Sequence, residues 1–384
     1  RSSMISNMGN MGEPPVTTSP SPSRNSELAA DRPDPRIGAT FGKYTITRLL
    51  GKGGMGAVYQ GEDAALKRSV AIKFLPDDVL SKPDVVERFM REAQVAGRLN
   101  HPNIIAIYDV GHDERGCYMV MELLSANSAS HRVKSKGPYH WLVATRIIAD
   151  SCAALKIAHE AGIVHRDIKP DNILLTSERN QDDFVRVIDF GVARLRGGFT
   201  QPSDVLGTPA FISPETLANE PVDGRCDLYA IGILLWQAIL GELPFPSTNQ
   251  AVMMTSHLSA PRRRPSEVYP AVRHQLLDDL ETLMVRLIAR HPADRPASAY
   301  EVRAELLRLL PKTRDVVLKN APLPNFGPGW DPAPSDNEKG ANNSADSKEN
   351  LLQTMLEIEN TAKGQFLETF NAVRENFISV FRSM

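Results

Sequence analysis

The chain is 384 residues long, 42% hydrophobic, and carries a formal net charge of -2. That length allows about two or three domains, and the apolar content supports a sizeable core over part of it. A near-neutral balance lacks the strong basic excess of a nucleic-acid binder, so no nucleic-acid partner is expected. Residues 1–36 are rich in Ser, Pro, Asn and Met and poor in large apolar groups. Such a segment cannot bury enough surface to offset its ordering entropy, so residues 1–40 read as a disordered segment and order is expected from Phe41 onward.

Residues 44–75 read as short strands broken by a glycine cluster. Residues 83–99 read as a helix: Pro83 suits a first turn, and Val86, Phe89, Met90, Ala93 and Ala96 recur at helical spacing. Residues 103–110 and 117–124 read as two more strands around the turn at 111–116. Together these predict a small, β-rich lobe with one helix. Beyond Leu124 helical patterns run over 140–161, 225–240, 275–290 and 298–310, a larger and mainly helical lobe closed by Pro311. The run 228–240 is apolar but shorter than the roughly 18 residues that cross a bilayer, so it reads as a buried helix and no transmembrane span is expected.

Residues 312–350 return to low complexity and read as a flexible linker. Residues 351–384 read as an amphipathic helix, with Leu352, Met355, Ala362, Phe366, Phe370, Val373, Phe377 and Phe381 on one stripe interrupted by Glu359. That helix could dock on the folded part, self-associate as a short coiled coil, or lie on a membrane; its polar face is not notably basic, which weakens the last option. Cys117, Cys152 and Cys226 are odd in number and widely spaced, so each reads as a small buried hydrophobe in a reducing, cytoplasmic compartment. The N-terminus lacks the apolar core of a secretory signal. The chain starts at Arg1 rather than Met, so an anchor missing here is missing only from this piece.

Four clusters carry chemistry. In Gly51-Lys52-Gly53-Gly54-Met55-Gly56-Ala57-Val58 the glycines let a hairpin backbone approach a triphosphate, and Val58 offers an apolar wall for a base. Taken alone the pattern also fits a flexible hairpin or a dinucleotide fingerprint. The latter expects a helix straight after the glycines, where Val58 and Tyr59 look like a returning strand. Lys73 ends the apolar run Val70-Ala71-Ile72, as a surface lysine or as a phosphate ligand paired with a helix glutamate: Glu92, with Glu87 as runner-up. The stretch His165-Arg166-Asp167-Ile168-Lys169-Pro170-Asp171-Asn172 sets a carboxylate, a cation and an amide at fixed offsets, and Asp189-Phe190-Gly191 adds a second acid. Asp167 suits a base or hydroxyl-orienting role, Lys169 suits charge neutralisation on a transferring phosphoryl group, and Asn172 and Asp189 are oxygen ligands for magnesium, or manganese in its place.

In that order and at those separations the clusters resemble the eukaryotic-like serine/threonine protein kinases, most closely the bacterial branch, over about residues 41–310. Gly207-Thr208-Pro209, Ser213-Pro214-Glu215, Asp227-Leu228-Tyr229 and Asp294-Arg295-Pro296 add to the likeness. The resemblance implies an α+β, two-lobed kinase fold over 41–311, with a small lobe at about 41–124 and a large lobe at about 125–311. It implies ATP and a divalent metal, protein substrates with Ser or Thr acceptors, and autophosphorylation. It puts Met121 at the gatekeeper position, the backbone of Glu122 and Leu124 on the adenine edge, and Leu50, Val58, Ala71 and Leu174 around the base. It also pairs Glu215 with Arg295 and has Asp227 tie the catalytic loop to a buried helix.

Lysine at 169 and Thr208 point to Ser/Thr rather than Tyr. Thr200 and Ser203 are expected phosphorylation sites of the activation segment, sensed by Arg166, and Thr208 is assigned to the substrate channel. Ser213 departs from the usual alanine, and residues 125–130 lack the usual glycine and acidic ribose contact. A pseudokinase scaffold is disfavoured because Lys73, Asp167 and Asp189 are all present. A small-molecule phosphotransferase is disfavoured by the Ser213-Pro214-Glu215 and Asp294-Arg295-Pro296 supports. Arg262-Arg263-Arg264 reads as a solvated basic loop, or as a docking site for acidic substrates.

Overall fold

The computed structural model describes residues 34–53, 56–76, 80, 83–178, 181–190, 209–270 and 276–310. Gly54, Met55, Thr200, Ser203, Thr208, the linker and the helix expected at 351–384 lie outside the described residues. Among those described, six strands form one antiparallel sheet: β1 (Thr40–Phe41), β2 (Tyr44–Gly53), β3 (Gly56–Asp63), β4 (Arg68–Phe74), β5 (Ile107–Asp113) and β6 (Gly116–Glu122), in the order β1-β2-β3-β4-β6-β5.

Alternation along each strand divides the side chains between two faces. Tyr59, Val70, Ile72, Phe74, Tyr118 and Val120 bury an aromatic-rich outer face with Phe41 and Tyr44. Ala71, Met119 and Met121 turn the other way and meet Phe89 and Ala93 of α1 (Pro83–Ala96). The expected helix is there, ending before Gly97.

The expected strand over 103–110 is shifted. It starts at Ile107, because residues 103–105 belong to the joint between the lobes. The Asn103 amide donates to the Val185 carbonyl (2.8 Å), the Val187 N–H to the Asn103 carbonyl (2.8 Å), and the Ile105 N–H to the Val187 carbonyl (3.1 Å). Those partners sit on β9 (Gln181–Val187), which pairs with β8 (Ile173–Glu178) and, through it, with β7 (Asn127–Ser128). This small sheet carries the large lobe's side of the cleft and was not anticipated.

The large lobe is built on one central helix. Before it in the chain come α2 (Ala129–Lys136), α3 (Trp141–Glu160) and the short α4 (Pro214–Leu217), and α5 itself spans Arg225–Leu240. After it come α6 (Gln250–Ser259), the short α7 (Pro265–Val268), α8 (Asp278–Leu287) and α9 (Ala299–Leu309). α5 is apolar all round and almost wholly buried, as a helix at the centre of a lobe should be. The α2 helix escaped the periodicity reading because it is short and basic; Ser128 Oγ caps it by accepting from the His131 N–H (3.1 Å).

The expected Glu215–Arg295 brace is present. The guanidinium makes two 2.7 Å bonds to the carboxylate, donates to the carbonyls of Ala289, Arg225 and Arg290, and stacks over Tyr229. Such full satisfaction is what makes a buried pair tolerable.

Two readings are corrected. Residues 34–40, expected within the disordered segment, form a turn and the start of strand β1 against the small lobe. The arginine run is neither a solvated loop nor a three-residue docking site. Arg262 donates to the carbonyls of His257, Ala260 and Ile288, and Arg264 donates to Thr282 and pairs with Asp278, leaving only Arg263 exposed. The three cysteines are buried, as expected, and burial pushes the Cys117 thiol up to about 11 and Cys152 to about 12. Among the described residues no helix is long and apolar enough to cross a membrane.

His257 gives the fold a pH signature. It is fully buried between Phe245 and Tyr229, with its Nδ1 2.6 Å from the Tyr229 hydroxyl. Burial, helped by the Arg262 charge, pushes its pKa down to about 4. The unfolded chain takes up this proton near the ordinary value of about 6.5, while the folded chain does not until about 4. Stability is therefore lost as pH falls through that window. We expect His257→Phe to remove about 2 kcal/mol of the stability difference between about pH 5 and pH 7 in urea unfolding, and an unchanged difference would contradict this.

Candidate functional site

The loop from His165 to Asn172 lies between α3 and β8, and Asp227 in the first turn of α5 organises it. Asp227 Oδ2 accepts the His165 N–H (2.8 Å) and lies 2.8 Å from His159 Nε2, while Oδ1 accepts the Arg166 N–H (2.7 Å). Burial pushes the Asp227 carboxyl up, but the hydrogen bonds from His159 and the Arg166 N–H outweigh it and hold the group below the usual carboxylate range. Arg166 adopts a left-handed φ of 65°, a conformation costly for a side chain of this kind and held here by those bonds. The Arg166 side chain itself is exposed.

His165 carries the connection onward. Its Nε2–H donates to the Ile188 carbonyl (2.8 Å) and its Nδ1 accepts the Asp167 N–H (3.2 Å), which fixes a neutral tautomer. The ring packs on Phe190 with centroids 4.7 Å apart.

Around Asp167 the groups converge. Its Oδ2 accepts from Lys169 Nζ (2.7 Å) and from Asn172 Nδ2 (2.8 Å), and the same amide nitrogen also donates to the Asp167 carbonyl (2.7 Å). The nitrogen side of Asn172 is thus spent on Asp167, which turns Oδ1 outward as its remaining acceptor. The Ile188 N–H donates to the Asn172 carbonyl (3.0 Å), so the chain leaving β9 toward Asp189 is tied to the loop that holds Asn172. Asp189 has a left-handed φ of 64° and reaches Lys73 Nζ at 2.8 Å across the cleft. Burial raises the Asp189 carboxyl; the Lys73 charge and hydrogen bond outweigh it and hold it below the usual range.

Lys73 therefore takes a different acid from the one expected. The helix glutamate Glu92 is half-buried on α1, but the turn at Asp189 aims a second carboxylate at the end of β4, and the buried ammonium (4% exposed) pairs with that one.

The roof of the cleft is the β2–β3 hairpin. Val58 pairs in register with Gly51 and with Lys73, and Ala71 pairs with Met121, so Val58, Ala71, Lys73 and Met121 share the inner face. Ala57 does not join them: its side chain packs into the outer cluster, so only its backbone faces the cleft. Leu50 and Lys52 are exposed at the lip, and Leu174, on β8, is half-buried on the opposite lobe. Met121 is buried in front of a small cavity bordered by Ala96, Ile104, Met119 and Phe190. The Glu122 N–H is taken by the Ala106 carbonyl (2.9 Å), and its carboxylate lies 3.4 Å from Arg186 Nη2. Leu124 follows, half-buried, at the edge of the inner cluster.

His159 and Arg186 were missed in the sequence: one looks like any helix histidine, the other like any strand cation. Their partners, Asp227 and Glu122, lie 68 and 64 residues away in the chain.

The protein kinase domain family model matches residues 44–306. The serine/threonine-protein kinase pkn3 of Myxococcus xanthus is 38% identical over 71% of this chain and 51% of its own length. The serine/threonine-protein kinase PknB of Mycobacterium tuberculosis is 35% identical over 76% of this chain and 49% of its own. The chain thus spans about half the length of these curated relatives. Among solved structures, the PknI kinase domain of Mycobacterium tuberculosis superposes with a TM-score of 0.56 at 27% identity, covering 71% of this chain and 97% of that one.

The hairpin glycines separate into two kinds. At Gly56 the φ is 112° and an added Cβ would lie 1.9 Å from the Phe74 carbonyl oxygen; at Gly51 and Gly53 it would meet nothing within 4 Å. Among the described hairpin glycines, packing demands glycine only at Gly56. We expect Gly56→Ala to cost at least about 2 kcal/mol in chemical unfolding. Gly53→Ala should change stability by no more than about 0.5 kcal/mol while weakening ATP binding in calorimetry. Equal stability losses at the two positions would contradict this division.

Proposed function

The chain belongs to the protein kinase domain family, and from that premise we propose that it transfers the γ-phosphoryl group of ATP to serine or threonine of protein substrates, its own residues included. The observation that carries the reading is the shared carboxylate of Asp167: Lys169 and Asn172 both bond Oδ2, which orients Oδ1 toward an acceptor hydroxyl. In this reading Asp167 orients that hydroxyl and takes its proton, and Lys169 offsets charge on the transferring group. Lys73 is assigned to the α- and β-phosphates.

The oxygen donors Asn172 Oδ1 and Asp189 suit a hard divalent cation, Mg²⁺ or Mn²⁺, and the depressed carboxyl of Asp189 keeps it ionised for that task. When bound, such a metal supplies charge neutralisation on the phosphates. Leu50, Val58, Ala71, Met121 and Leu174 enclose the base, and the backbone of Glu122 and Leu124 reads its edge. Little covalent chemistry falls to the protein, so positioning and preorganised charge do most of the work.

Phosphate on Thr200 or Ser203 would be read by the exposed Arg166. Three buried free thiols accord with a reducing cytoplasm. No observation favours a catalytically silent scaffold.

The test is incubation with labelled ATP and magnesium, comparing wild type with Asp167→Asn and Asp189→Ala. Transfer should fall by about 100-fold to 10,000-fold in each variant while both remain folded. Equal labelling in all three would overturn the proposal, and ATP binding without labelling by the wild type would favour the scaffold.

A further inference from the structure

Residues 34–39 precede the 44–306 stretch matched by the family model, yet they are fastened to the back of the nucleotide roof. Pro35 follows Asp34 and starts a turn, in which the Arg36 N–H donates to Asp34 Oδ1 (3.0 Å) and the Ile37 N–H to the Asp34 carbonyl (3.0 Å). The chain then joins β2: the Gly38 N–H donates to the Ile46 carbonyl and the Ile46 N–H to the Ala39 carbonyl, each at 2.9 Å. Two side chains of the turn reach the sheet. Asp34 Oδ2 accepts the Tyr59 hydroxyl proton at 2.6 Å, and the Arg36 guanidinium sits 5.0 Å from the centroid of the Phe74 ring.

The two residues gripped are not arbitrary. Tyr59 follows Val58 and Phe74 follows Lys73, and Val58 pairs directly with Lys73 across β3 and β4. Successive strand residues point to opposite faces. A grip on Tyr59 and Phe74 from outside therefore fixes the height of the base wall and of the phosphate lysine inside. Tyr59 is 1% exposed and wedged edge-on against Phe74, so the grip acts on a rigid part of the sheet.

We propose that residues 34–39 form a brace that sets the β2–β3 roof over the nucleotide, with Asp34 as its positioning residue acting through Tyr59. This rests on the nucleotide reading of the cleft given above. Burial pushes the Asp34 carboxyl up, but the Tyr59 hydroxyl, the Arg36 N–H and the charges of Arg36 and Lys52 outweigh it and hold it below the usual range. Lys52 belongs to the glycine hairpin, so the brace and the lip of the cleft are also linked by charge. An ionised acceptor makes the stronger hydrogen bond, which suits a latch.

The experiment uses the full chain carrying Asp34→Ala, Tyr59→Phe, both together, or Asp34→Asn. ATP Kd is read by calorimetry, alongside KM for ATP, kcat and Tm. Asp34→Ala and Tyr59→Phe should each raise Kd and KM about three- to tenfold with kcat within about twofold, and the double variant should be no weaker than the weaker single. Asp34→Asn keeps one acceptor for two donors, the phenol and the Arg36 N–H, so it should raise Kd and KM, but by less than Asp34→Ala does. Unchanged Kd and KM in Asp34→Ala would overturn the proposal even if Tm falls, because that is what a merely structural contact does. So would singles whose effects multiply in the double, or Asp34→Asn behaving like Asp34→Ala. Kd is read without turnover, so a wild type that binds ATP but labels no protein would count against the transfer reading alone.

Discussion

One buried carboxylate sets the geometry of the cleft. Asp227, 1% exposed at the start of α5, accepts two successive backbone N–H groups, those of His165 and Arg166, and faces His159. Hydrogen bonds to a charged acceptor contribute about 1.5–3 kcal/mol each, enough to hold Arg166 in its left-handed conformation. That conformation turns the chain so that Asp167, Lys169 and Asn172 meet. The position of Asp227 in the helix adds to this, since a negative charge in a first turn is favoured by the helix dipole. Because α5 is the most buried helix of the large lobe, the loop is referred to a rigid element and not to other loops.

From that anchor the order spreads through backbone bonds. His165 accepts from the Asp167 N–H with one ring nitrogen and donates to the Ile188 carbonyl with the other, and Asn172 accepts from the Ile188 N–H. β9 is in turn bonded to Asn103 and Ile105 of the small lobe. The two acids Asp167 and Asp189 thus share one hydrogen-bonded frame, and Lys73 enters it from the roof by its pair with Asp189. Left-handed φ values fall at both Arg166 and Asp189, where a turn must present a side chain to the cleft. Proteins commonly concentrate such strain at functional sites, where the surroundings hold it in place.

What could be read from the sequence was set by covalent spacing. Residues 165–172 act within one loop, so their offsets already fix who meets whom. The Glu215–Arg295 pair and the Asp227 anchor became visible once the resemblance supplied long-range partners. The central helices were legible because Leu228 to Leu240 form an apolar run and because 83–96 keep a helical period.

What depends on strand register or tertiary choice was not legible. Glu92 and Glu87 were the acids expected for Lys73, and only the turn at Asp189 brings up the carboxylate that takes it. Ala57 lies on the wrong side of a strand whose register the sequence does not give. Arg262 looks solvated until the carbonyls at the ends of α6 and α8 are placed around it, and Arg264 until the first turn of α8 is. Asp34 was lost in a segment of disordered composition because its partner, Tyr59, lies 25 residues on.

The most direct test of this account is Asp227→Asn. An amide keeps one acceptor but turns an NH2 toward a backbone N–H, so one of the two loop bonds must fail. The account expects phosphoryl transfer to fall by at least about 100-fold in a variant that still unfolds cooperatively, with ATP Kd within about threefold of wild type because the roof is untouched. A folded Asp227→Asn protein that transfers phosphate at the wild-type rate would contradict it.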